Sequence, residues 1–282
     1  MDTPGAPNGL TGAVVALKPV ELAKSRLGSL ADPLRRRIAW TMAVDTLAAL
    51  SAALDRVLVV SDQPALQSRL GRLGLAVTVV GEPGPVGMNG ALSYGAELLQ
   101  EQGCTLVVAC VGDLPALSPS SLRRVTTAAS RWPRSFLADA SGVGTTMLFA
   151  RESVLDPHFQ GHSSAAHHAS GAVPLTDELL GGPVADARRD VDTEVDLGVA
   201  YRLGLGRATA ALFDPATGAP GPYDSVTVTR QHNDAGDLLV IASTGHRLAL
   251  PAAALQDGLR RPRQGQRLHA VRAADTVLAA WL

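Results

Sequence analysis

Along the first two-thirds of the chain, short unbroken apolar runs alternate with longer stretches whose apolar residues recur at helical spacing. GAVVALK, RVLVVSD, AVTVVGEP and TLVVACVGDLP read as buried strands. Between them, PLRRRIAWTMAVDTLAALSAA, QPALQSRLGRLG and GMNGALSYGAELLQEQG read as helices. Asp32 followed by Pro33 marks the start of the first, Gly74 ends the second, and a glycine-rich turn opens the third. SPSSLRRVTTAAS predicts a further helix with a serine cap, and SFLADAS and GTTMLFA two more strands. Runs continuous in Val and Leu, separated by helices, imply an α/β fold. The expectation is a mostly parallel open sheet with helices on both faces.

The pattern changes near Leu212. FDPATGAPGPYD is rich in Pro and Gly and reads as a linker over residues 213–223. After it, SVTVTR, DLLVIAS, HRLALP, QRLHAVRA and TVLAAWL alternate over short distances, which predicts a small β-barrel over residues 224–282. The α/β domain is then residues 13–212, and residues 1–12 form a disordered leader. That leader lacks the charged-then-apolar pattern of a signal peptide.

Composition narrows the function classes. Net charge is −1 over 282 residues, so no basic surface points to nucleic acid. No apolar run approaches the ~18 residues of a spanning helix, so no membrane partner is expected. The two cysteines flank the strand CTLVVAC, and their even spacing predicts side chains on one face, read as buried hydrophobes of a cytoplasmic protein.

Candidate chemistry clusters after strand ends, where open parallel sheets bind ligands. Lys18 and Lys24 are the only lysines of the chain, and both fall in LKPVELAKSRL directly after the first strand. No glycine-rich phosphate cradle accompanies them. Lysine ammonium groups serve phosphate oxygens as point charges, and Arg26 adds a third cation. The competing reading is a solvated loop. In VGDLP, Asp113 ends a buried strand, as a magnesium ligand or a helix cap. In RRDVDTEVDL, Asp190 and Asp192 face one side of an extended segment. They suit magnesium shared with substrate phosphates, or a loop in which Asp192 or Thr193 caps the next helix. Backbone N–H groups from Gly161 to Ser164 make a candidate anion nest. His162, His167 and His168 have no partner cysteine and diverge in direction, so zinc is not expected.

Together LKPVELAKSRL, VVSD, GMNGAL, VGDLPAL, GVGTTML, FQGHSSAAHHASGAV and RRDVDTEVDL occur in one order that resembles the guanylyltransferases of coenzyme F420 biosynthesis. These are described as phosphoenolpyruvate or 2-phospho-L-lactate guanylyltransferases and have a nucleotide-diphospho-sugar and molybdopterin-guanylyltransferase type of fold. The resemblance implies transfer of GMP from GTP to a three-carbon phosphorylated acid. It implies Lys18 and Lys24 at the phosphates, magnesium on Asp113, Asp190 and Asp192, and the acid's phosphate on Thr145, Gly161 and Ser163. It places Asn89 towards the guanine or ribose. The family usually has glycine directly after the phenylalanine of FQG, where this chain has Gln160. A homodimer and contact with the next enzyme of the pathway remain open as partners.

The C-terminal LPAAALQDGLRRPRQGQRLHAV resembles the second half of a cold-shock domain, an OB-type barrel. NDAGDLLVIASTG, matching the first half, has no aromatic residue for base stacking, so a structural or oligomer-contact role is expected there. Two other readings stand beside the main one. The first is nucleotidyl transfer to another phosphorylated acceptor such as molybdopterin. The second is a nucleic-acid-binding protein with a degenerate transferase domain.

Overall fold

The computed structural model describes residues 9–17, 32–84, 86–213, 220–231, 237–255, 262–273 and 276–281. They fall into two compact units, Met1–Ala23 with Met42–Asp190, and Lys24–Thr41 with Val191–Leu282. The division therefore differs from the expected break at residue 212.

In the first unit lie strands β1 (Leu10–Ala16), β2 (Arg56–Val60), β3 (Thr78–Val80), β4 (Cys104–Cys110), β5 (Arg134–Ala138), β6 (Thr145–Arg151) and β7 (Val173–Pro174). Helices α2 (Leu66–Gly71), α3 (Gly87–Glu101), α4 (Pro119–Ala129) and α5 (Ser163–Ala169) connect them, α6 (Ala185–Arg188) follows β7, and the unit division falls within α1 (Asp32–Ala53). α2 is shorter than expected, because Ala65 takes a left-handed φ of 59° and starts the helix late.

The seven strands form one sheet in the order β3-β2-β1-β4-β6-β5-β7. β1 pairs in parallel with β2 and β4, and β2 with β3. β6 instead runs antiparallel to both β4 and β5. Only residues 139–144 separate β5 from β6. A parallel crossover needs a dozen residues or more, so the chain must turn straight back as a hairpin. The sheet is mostly parallel but mixed.

Both faces of the sheet are buried. Val14, Leu58, Val60, Val107, Ala109, Phe136 and Leu148 make one core face, against which α3 packs across β1, β2 and β4. Ala13, Val15, Val57, Val59 and Val108 alternate with them and are no more than 4% exposed. The cysteines depart from expectation. Leu10 pairs with Cys104 but Thr11 with Leu106, so a bulge at Thr105 reverses the alternation. Cys104 joins the face of Val107 and Ala109, while Cys110 falls on the opposite one. Both are buried and free.

The second unit holds α7 (Glu194–Leu203), α8 (Arg207–Ala210) and a closed barrel. Its strands are β8 (Pro220–Gln231), β9 (Leu238–Ala242), β10 (Arg247–Leu250), β11 (Arg267–Ala273) and β12 (Thr276–Trp281). They close in the order β10-β12-β11-β8-β9, antiparallel except for β10 with β12. The described core is aliphatic, from Val226, Val228, Val240, Leu248, Leu250, Leu268 and Val277. β8 begins at Pro220, inside the stretch read as linker. Pro220 is a first strand residue, and Pro222 sits where the register with β11 shifts. Neither position requires a ladder N–H of proline. α7 packs on β8, β11 and β12 with Leu197 and Ala200 buried, and so groups with the barrel.

Candidate active site

Parallel strands end together, so the loops that follow them gather at one rim of the sheet. β1 leads there to Leu17, whose N–H donates to the Val60 carbonyl at 3.0 Å. The buried Ser61 hydroxyl donates to the Leu17 carbonyl at 2.6 Å, and Asp62 accepts the Glu82 N–H at 2.8 Å. The VVSD segment thus ties the ends of β1, β2 and β3 together. Lys18, Lys24 and Arg26 lie outside the described residues.

β4 delivers Asp113 to the same rim. Val111 donates to the Thr146 carbonyl at 3.0 Å, and Leu114 donates to Thr46 Oγ1 of α1 at 3.0 Å. The half-buried Asp113 hangs between these two tethers. A Cβ on Gly112 would stand 2.7 Å from Leu17 Cδ2. The loop carrying Asp113 therefore lies against the residue that precedes Lys18, and a side chain at position 112 would require Leu17 to move aside. Ser118 caps α4 by accepting the Ser121 N–H at 3.2 Å, so Asp113 is not the cap. Burial pushes the neighbouring Cys110 thiol up, and the Asp113 charge adds to the shift, which leaves that thiol unreactive.

Because β6 runs antiparallel to β4, its first residue, Thr145, reaches this rim. The Asp139 carboxylate shapes the turn before it, accepting the N–H groups of Val143 at 3.1 Å and Gly144 at 2.9 Å. Ser164 N–H donates to the Val143 carbonyl at 3.1 Å and joins the start of α5 to the turn. One of the N–H groups expected in the anion nest is thus used within the protein. Gly161 is exposed at φ 57°, and Ser163 is buried. Gln160, in the place where the resembled family usually has glycine, adopts φ 91°.

His167 of α5 joins these pieces. It is fully buried, with its ring against Phe136 and Phe159. His158 N–H donates to Nε2 at 2.9 Å, and Nδ1 lies 2.9 Å from Thr145 Oγ1. A backbone N–H can only donate, so Nε2 carries no proton and Nδ1–H donates to Thr145. Burial pushes the His167 pKa down from 6.5 to about 4; His158 and Arg134 add to the shift and Asp156 opposes it. Asn89, in the first turn of α3, holds the same loop. Its Nδ2 donates to the Phe159 carbonyl at 3.2 Å, and its Oδ1 accepts the Phe159 N–H at 2.9 Å.

Arg188 brings the second acidic cluster to the rim. Its guanidinium donates to the Ala138 carbonyl at 2.9 Å and the Leu175 carbonyl at 2.8 Å, and pairs with Asp177 at 3.1 Å. It thereby closes the ends of β5 and β7 two residues before Asp190. Asp192 lies in the second unit, where Thr193 and Asp196 form a capping box on α7, so Asp192 is not the cap. Among the described residues, no three His, Cys, Asp or Glu side chains converge as a metal site.

The structure therefore gathers Asp113, Asn89, Thr145, Gly161, Ser163 and Asp190 on connected elements of one unit. Sequence reasoning missed His167, Arg188, Asp139 and Thr46. For His167 the signal was a histidine on the buried side of a short helix, set aside once zinc was discounted.

Comparison with known proteins identifies the family and the fold. The family model of the MobA-like NTP transferase domain matches residues 25–176. A relative from Thermomonospora curvata, named phosphoenolpyruvate guanylyltransferase, is 43% identical over 203 residues, covering 71% of this chain and 86% of its own. A Streptomyces coelicolor protein of the same name is 45% identical over 204 residues, covering 71% and 93%. A crystal structure from Desulfovibrio desulfuricans G20, described as a nucleotide-diphospho-sugar transferase, superposes with a TM-score of 0.56 at 15% identity. It covers 72% of this chain and 93% of its own, and shares the fold. Among the described residues, no helix is long and apolar enough to cross a membrane.

Proposed function

The chain belongs to the phosphoenolpyruvate guanylyltransferase family of MobA-like nucleotidyltransferases, and from that premise we propose that it transfers GMP from GTP to phosphoenolpyruvate. The product is enolpyruvoyl-2-diphospho-5'-guanosine, with release of diphosphate, and the reaction serves coenzyme F420 biosynthesis. The observation that supports this most is identity above 40% to relatives of that name across most of their length. Transfer to molybdopterin is not favoured.

A phosphate oxygen of the acid attacks the GTP α-phosphorus in line. The new P–O bond forms as the bond to the β-phosphate bridging oxygen breaks, and diphosphate leaves with its electron pair. A phosphate monoester dianion is already nucleophilic at neutral pH, so no protein base is required. Catalysis is positioning and charge neutralisation. Lys18 and Lys24 serve the phosphates as compact charges, with Arg26 in the same loop. Thr145, Gly161 and Ser163 hold the acid's phosphate, and Asn89 orients the loop at Phe159 that carries Gly161.

The donor set fits a divalent cation. Asp113 and Asp190 supply hard carboxylate oxygens from one rim. Magnesium characteristically combines one or two carboxylates with substrate phosphates, which suits carboxylates that form no compact cage of their own. Such an ion, when bound, neutralises charge on the phosphates.

Incubation with GTP, magnesium and each of phosphoenolpyruvate, 2-phospho-L-lactate and 3-phosphoglycerate, followed by mass spectrometry, tests the reading. Phosphoenolpyruvate should give the guanylylated product and diphosphate. No product from that acid, or a clear preference for another, overturns it.

A further inference from the structure

We infer that His167 is a positioning residue that orients the Thr145 hydroxyl to donate its hydrogen to the acid's phosphate, and so favours an anionic acceptor at that subsite. The inference rests on the proposed role of Thr145 and deepens it.

The geometry leaves little freedom. The His158 backbone N–H, 2.9 Å from His167 Nε2, can only donate. That places the imidazole proton on Nδ1, 2.9 Å from Thr145 Oγ1, which then accepts. A hydroxyl has one hydrogen. With its oxygen receiving the imidazole N–H, the Thr145 hydrogen must point elsewhere, and the rim is where phosphate oxygens are to be bound. A threonine without this partner turns its hydroxyl to donate or accept with similar ease. Here the imidazole N–H takes one of the two oxygen lone pairs, and the hydroxyl hydrogen is left to donate. A phosphate oxygen at the rim can take that hydrogen.

The histidine is built to keep this direction. It is fully buried, and Phe136 and Phe159 stand 5.9 and 5.1 Å from its ring. The charged and titratable groups around it are His158, Arg134 and Asp156, and Asp156 is ion-paired to Arg134 at 3.0 Å and lies 3.1 Å from His158 Nε2. A neutral imidazole fits beside that assembly with its proton directed at Thr145.

Two substitutions separate the two ends of the ring. In His167→Asn the amide N–H occupies the place of Nδ1 and keeps the donation to Thr145. In His167→Gln the amide oxygen occupies the place of Nε2 and keeps the bond to His158, while the donor to Thr145 is lost. We expect His167→Gln to raise KM for the acid at least tenfold with KM for GTP unchanged, and His167→Asn to restore most of that loss. Equal loss in both, or a raised KM for GTP, means that His167 only supports the loop, and overturns the inference.

Thr145→Val separates the inference from the reading beneath it. If Thr145→Val leaves KM for the acid unchanged, the phosphate role of Thr145 fails. If Thr145→Val raises it and His167→Gln does not, only the inference fails. Should the His167 variants not fold, imidazole nitrogen NMR of the wild-type protein decides the matter. A proton on Nδ1 supports the inference, and a proton on Nε2 overturns it.

Discussion

The two halves of the sheet reach the same rim by opposite routes. In the parallel half, β3-β2-β1-β4, strands end at the rim, and the chain leaves through loops tied by short bonds such as Ser61 to the Leu17 carbonyl. In the other half, β6 begins at the rim, after a turn held by Asp139. The parallel half presents charge on a loop, with Asp113 after β4. The hairpin half presents neutral groups of fixed direction, Thr145 and His167, inside the protein, and one carboxylate, Asp190, in the loop beyond β7. Buried neutral groups are tolerated when each donor and acceptor is matched, whereas buried charges must be paired. Loops suit charge that a ligand will neutralise, and a hairpin with a helix behind it suits a donor whose direction matters.

The largest effect should come from the charged half. Asp113→Asn keeps the shape and removes the charge. Turnover should fall by about 100-fold or more while the circular dichroism spectrum stays unchanged. Steady-state kinetics with near-wild-type turnover would show that the rim's chemistry does not depend on this carboxylate, and Asp190→Asn tests its counterpart beyond β7.

The hairpin half should carry an acid limit of its own. The folded pKa of His167, about 4, lies below the ordinary 6.5. Between those values the unfolded chain binds a proton that the folded one refuses. The stability contribution is therefore present above pH 6.5 and is lost as pH falls towards 4. The full difference is on the order of 3 kcal/mol. Urea midpoints measured between pH 7 and 4 should fall, and less steeply in His167→Asn. Identical slopes in the two proteins would remove His167 from the cause.

Gly144→Ala is expected to act on one half alone. Its Cβ would stand 2.5 Å from Asp139 Oδ2 and displace the carboxylate from two backbone N–H groups. A loss of about 1–3 kcal/mol should follow, with KM for the acid raised more than KM for GTP. An effect on GTP alone would mean that the halves do not divide the substrates in this way.

The smallest change should be a gain. Gln160 holds φ 91°, a conformation that favours glycine. Gln160→Gly should stabilise the protein by about 1 kcal/mol, read as a melting temperature a few degrees higher. An unchanged or lower value would mean that the Gln160 side chain contributes contacts that offset the strain.

Sequence alone determined the order of the strands along the chain and most of their extents, because apolar period and turn residues are local properties. Serine at the head of α4 was legible as its cap for the same reason. So was the barrel, where all five alternating segments became strands. The family, too, was legible, since seven short motifs in one order carry it. Strand direction was partly legible: the shortness of the 139–144 connection already required a hairpin, but the continuous Val/Leu runs argued the other way. Other features depended on neighbours distant in the chain. The bulge at Thr105 that parts the two cysteines exists only in the pairing of β1 with β4. The place of α7 against the barrel depends on surfaces far apart in sequence. The role of His167 appears only when β6, α5 and the His158 loop meet, because the proton's position on an imidazole is decided by the donor facing its other nitrogen.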